Sequence, residues 1–170
     1  MIDLLPSPLH PLVVHFPVAL ASFLPFLALL AMIAIVRGVA PRMAWGLVTL
    51  AAALTFVGSY IAVWSGERDE EKIEEVVDDD LIHEHEEMGE RLRLMAGIAV
   101  VVFAIGMGGG GFGRIARPVG FLLSVAMLIQ AIPTGHSGAE LVYKHGAAGA
   151  YVENQPAVSV DSTSLPEHDH

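Results

Sequence analysis

Apolar residues fall in long uninterrupted runs along this chain, and polar residues gather between them. The first run, about 12–36, spans roughly 25 residues or ~37 Å as a helix, enough to cross a bilayer with some tilt. Further apolar runs cover about 43–64, 92–107 and 119–133. Pro11 suits a first helical position, where its missing N–H costs nothing, whereas Pro17 and Pro25 each remove a backbone hydrogen bond and predict bends. Tyr60 and Trp64 close the second run, where interfacial aromatics gather. The pattern predicts an all-α fold: an integral membrane four-helix bundle over residues 1–146, up-down, with both termini on the same side. A small, polar, acidic tail at 147–170 is expected to be mobile.

Between the second and third runs, residues 65–91 hold thirteen carboxylates against three basic residues. Ile73, Val76, Val77 and Leu81 recur there at helical spacing, so the stretch predicts a surface helix over about 67–91 with the acids on its solvated face. Arg37 to Arg42 and Arg114 to Arg117 form two short basic turns. Four spans put the N-terminus, the acidic stretch and the tail on one side of the membrane, and all eight histidines with them. The acid-free basic turns point to the cytoplasm, which leaves the histidines on the outer face, although the Lys/Arg count of four against five runs the other way.

Composition narrows the chemistry. The chain is 54% hydrophobic and 16% charged. It has no cysteine, which excludes disulfides, thiolate metal sites, iron–sulfur clusters and covalently attached c-type haem. A net charge of −10 argues against nucleic-acid binding. Asp3, with no basic residue before Arg37, argues against a cleaved signal peptide. No nucleophile sits in a recognisable catalytic context, so an electron-transfer or binding protein is expected rather than a stand-alone enzyme. Few polar residues interrupt the spans and no inverted repeat is detectable, which speaks against transport of an organic substrate.

Histidine is the commonest metal ligand and is expensive in hydrocarbon without a partner. Leu81, His85, Met88, Leu92 and Ala96 make one helical stripe, so His85 is expected to face the bundle. His83, about 200° away among acids, reads as solvated. His15, Ala19, Ser22 and Phe26 share a face whose small residues permit close helix approach, so His15 is also expected to point inward. His136 follows Pro133 and is flanked by Gly135 and Gly138, which allow close approach of a bulky group. His10 precedes the first helix and takes a supporting role. His145 reads as a polar helix end beside a Gly146 cap, and His168 and His170 lie in the tail.

The segments His10-Pro-Leu-Val-Val-His15-Phe-Pro-Val-Ala-Leu, His85-Glu86, and Thr134-Gly-His136-Ser-Gly-Ala-Glu-Leu-Val-Tyr-Lys-His145-Gly resemble the bacterial membrane family called domain of unknown function 2231. The likeness covers about Leu9 to Gly146. Members of that family occur joined to or beside Rieske-type and cytochrome modules, which implies redox work and such a module as partner. It also implies the inner membrane of a bacterial cell, which would make the outer face periplasmic.

The reading that follows is a b-type haem protein passing electrons at the outer face. A bundle can clamp the flat apolar ring between histidines on different helices. His15, His85 and His136 are the candidates, with His15 and His136 the favoured pair, and Arg91, Arg93 and Lys144 at the level of the propionates. The alternatives are a zinc, copper or nickel site built from His10, His15, His85 and His136, including metal transport, or a cofactor-free accessory subunit of a respiratory complex. A unit this small also suits a homo-oligomer or a larger assembly.

Overall fold

A computed structural model describes residues 7–152. The segments are α1 (His10–Val13), α2 (His15–Val36), α3 (Pro41–Ile73), α4 (Asp79–Gly106), α5 (Gly111–Tyr143) and a short 3-10 turn (Ala147–Tyr151). Short turns join the long helices, which run up and down. Each packs on two neighbours, in the cyclic order α2, α3, α4, α5 and back to α2. α1 continues α2 and packs on α3. The interruption at Val14 falls where Pro17 cannot return a hydrogen bond to the carbonyl of Val13.

Three stretches are long and apolar enough to cross a membrane: His10–Val36, Pro41–Ile73 and Gly111–Tyr143. α4 is not among them, because its charged residues continue to Arg93 and leave only Leu94 to Gly106 uncharged. Large apolar side chains such as Phe23, Leu30, Leu47, Leu122 and Ile129 stand exposed around the bundle, as they do when lipid is the solvent.

Lipid tails are as apolar as leucine, so burial does not drive such helices together and close packing must. The core uses alanines for approach (Ala21, Ala28, Ala52, Ala96, Ala99, Ala131) and a few large plugs, Leu24, Trp45, Phe103 and Met127. Trp45 and Phe103 meet edge to face at 5.7 Å, an arrangement adding about 0.5–1.5 kcal/mol. Gly120 makes room for Phe103, since a Cβ there would lie 2.4 Å from Cε1 of that ring.

Two expectations change. The acidic stretch is not one surface helix over 67–91. Ile73 ends α3, residues 74–78 turn the chain, and Asp78 opens α4 by accepting from the Asp80 N–H at 3.1 Å. The helically spaced Ile73, Val77 and Leu81 instead pack with Ile82, Leu141 and Ala147 into a small apolar cap over this hairpin tip. Arg117, in the first turns of α5, is buried and donates from Nε to the Gly106 carbonyl at 2.9 Å and from Nη2 to the Gly108 carbonyl at 2.7 Å. It satisfies carbonyls that the end of α4 leaves without partners. Of the expected tail, Ala147–Tyr151 forms the 3-10 turn, and Tyr151 Oη donates to the Asp69 carbonyl at 3.3 Å. Residues 153–170, with His168 and His170, lie outside the described residues.

Candidate functional site

The site is built at the end of the bundle that carries the acidic hairpin. Asp69, on the last turns of α3, is buried and accepts from two backbone N–H groups at the start of α1, those of Leu9 at 2.9 Å and His10 at 3.0 Å. These are donors that a helix start leaves without partners. The carboxylate thereby pins the N-terminal segment against α3 and turns His10 into the bundle. Two turns deeper on the same face of α3, the Ala62 carbonyl accepts from His10 Nδ1 at 2.8 Å, with Ser65 Oγ 3.3 Å from the same nitrogen. Gly66 completes this ledge; a Cβ there would stand 3.3 Å from His10 Nδ1.

The opposite half mirrors the arrangement. His85 on α4 has Nδ1 2.8 Å from Ser137 Oγ on α5, and Ser137 in turn donates to the Thr134 carbonyl at 3.0 Å. Gly138 leaves the space the ring uses, because a Cβ there would come within 2.9 Å of His85 Cε1. The two imidazoles meet edge to face, centroids 5.9 Å apart and planes at 90°.

A carbonyl only accepts, so neutral His10 carries its proton on Nδ1. Ser137 can give its one proton to the Thr134 carbonyl and accept from His85 Nδ1. In that arrangement both rings keep an unprotonated Nε2, as where a histidine ligates a metal and its other nitrogen is held by an oxygen. Burial, and then the nearness of His10, pushes His85 down to about 4, so the ring is neutral in the physiological range.

The expected ligands divide. His85 points inward, as its stripe predicts. His15 does not: it is exposed with Ala19 and Phe26, while Pro17, Ala21, Leu24 and Ala28 take the inward face of α2. His136 is 73% exposed, its Nε2 3.9 Å from Glu140. The favoured His15–His136 pair is therefore not brought together, and His10 stands where His15 is expected. His83 is exposed as read. The cations expected at propionates are each paired on their own helix: Arg91 with Glu87 at 2.7 Å, Arg93 with Glu90 at 2.9 Å, and Lys144 with Glu140 at 3.2 Å. Nor do His10, His15, His85 and His136 converge as a four-histidine metal site. Among the described residues, the group of three or more candidate ligands whose atoms converge is Glu70, Glu74 and Asp79 at the hairpin tip, with no histidine.

Asp69, Ser65, Gly66 and Ser137 are the positioning residues the sequence reading passes over. Asp69 hides within an acidic run, and its only local signal is its phase, one and two turns beyond Ser65 and Ala62.

Comparison with known proteins adds one match. The sequence model of a family described as predicted membrane protein (DUF2231) matches residues 6–150. No curated protein and no solved structure matches the chain.

Proposed function

The chain belongs to that predicted membrane protein family, and on this footing we propose that His10 and His85 are the axial ligands of a b-type haem that transfers electrons at the histidine end of the bundle. The donor set carries the reading. A half-buried site offering two imidazoles, which belong to no group of three or more converging ligands among the described residues, is two ligands short of the four that zinc and similar ions ask of a protein. Haem brings four equatorial nitrogens of its own and asks for two axial ones. Such a group would be held by His10 and His85, whose ring centroids stand 5.9 Å apart.

When bound, the group would supply a one-electron couple. The protein's own part is to orient both rings through Ala62 and Ser137. In this reading α4 is a fourth span whose charged half stands outside the hydrocarbon. The histidine end then faces the periplasm of a bacterial inner membrane, where a Rieske-type or cytochrome module is the natural partner. The full chain purified in mild detergent from haem-sufficient cells tests this through oxidised and dithionite-reduced absorption spectra. A Soret shift with sharp visible bands on reduction is expected; a colourless protein contradicts the reading, whatever metal elemental analysis finds.

A further inference from the structure

Away from the histidines, a groove of about 690 Å³ runs along the outer side of α3 and α4. Its floor is apolar: Phe56, Leu94, Ile98 and Val101. Gly97 lets the Phe56 ring lie close against α4, with a Cβ position 3.2 Å from Cε2. Its upper rim is charged, and the two signs are matched: Glu87 and Glu90 with Arg91 and Arg93. Arg93 is steadied over the ring of Tyr60, its guanidinium carbon 5.9 Å from the centroid. The change from charged rim to apolar floor falls between Arg93 and Leu94, where α4 loses its charges.

We propose that this groove seats one glycerophospholipid with a primary-ammonium headgroup, of the phosphatidylethanolamine class. The acyl chain matches the floor, and the headgroup is a zwitterion that complements both signs of the rim. Arginine holds phosphate through paired N–H donors. An ammonium donates up to three hydrogen bonds, and a carboxylate offers about four lone-pair sites, so Glu87 and Glu90 keep acceptor capacity beyond their arginine bonds. Those Arg–Glu pairs are half exposed and of the kind that contributes little, so they rearrange readily around a headgroup. A trimethylated choline has no N–H to give the carboxylates, and a glycerol headgroup has no positive charge.

The test is native mass spectrometry of the full chain, delipidated in mild detergent and incubated with dioleoyl-phosphatidylethanolamine, -phosphatidylcholine or -phosphatidylglycerol. One ethanolamine lipid per chain is expected, retained at least about five-fold better than either other lipid. Arg91→Gln with Arg93→Gln lowers retention of the ethanolamine lipid about ten-fold, and Glu87→Gln with Glu90→Gln erases its preference over the choline lipid. Equal retention of all three lipids by the wild-type chain overturns the proposal, whether or not the variants fold. So does a second copy or another polypeptide crosslinked through a photoreactive residue at Ile98.

Discussion

His10 and His85 lie 75 positions apart in the chain and meet ring against ring, centroids 5.9 Å apart, each with its Nδ1 tied to an oxygen of a different neighbouring helix. The contact joins the two halves of the bundle, α1 with α3 and α4 with α5, at their acidic end. It requires a carboxylate to hold the chain start, two glycines to leave space, and two acceptors to fix the rings.

Gly138→Ala and Gly135→Ala should separate the space requirement from helix propensity. At Gly138 a Cβ would press on His85, so overpacking of about 1–3 kcal/mol is expected as lowered thermal stability. Gly135 has nothing within 4 Å, and alanine there should be neutral or raise stability by up to about 1 kcal/mol. Thermal unfolding in one detergent compares them; equal melting temperatures would contradict the close fit.

Asp69→Ala leaves the N–H groups of Leu9 and His10 without their acceptor, a loss of about 2 kcal/mol or more. Asp69→Asn keeps an oxygen and should lose less. Both variants should make His10 more reactive toward diethylpyrocarbonate by mass spectrometry, in the order Ala over Asn over wild type. Unchanged labelling would remove Asp69 from the site.

Acid should loosen this end of the apoprotein. The folded state holds His85 at about 4 while an unfolded chain titrates it near 6.5, so between these values the unfolded state binds more protons and stability rises with pH. The contribution is complete above about 6.5 and is lost as pH falls toward 4, on the order of 3 kcal/mol in all. Melting temperature followed over that window should fall in wild type and much less in His85→Gln. Parallel curves would contradict the burial of this ring.

How much of this was legible in the sequence depends on where each signal lay. The apolar runs placed the helices, and the stripe through Leu81, Leu92 and Ala96 oriented His85. Glu140 and Lys144 pair at 3.2 Å, as oppositely charged i,i+4 neighbours do. Small residues line both sides of the first helix: Ala19 and Ser22 predict one inward face, whereas Ala21, Ala28 and Ala31 form the buried one. No local signal marks His10, because the groups that hold it, Ala62, Ser65 and Asp69, lie more than fifty positions away. The apolar residues of the acidic stretch fit a helix as well as the lining of a turn.

Topology has its own check. Reporters inserted after Val76 and after Val152 should be active on the same, outer side, and one in the 107–110 turn on the other. The second site follows Val152 because Ala147 is buried against the hairpin tip. Opposite results for Val76 and Val152 would mean that α4 and α5 do not both cross.

The most direct measurement is the reduced-minus-oxidised spectrum of four alanine variants, at His10, His85, His15 and His136, each confirmed as folded by its helical circular dichroism. The account predicts that His10→Ala and His85→Ala lose the b-type bands or change their ligation, while His15→Ala and His136→Ala keep them. Retention of the wild-type spectrum in both His10→Ala and His85→Ala, with loss in either of the others, would contradict it.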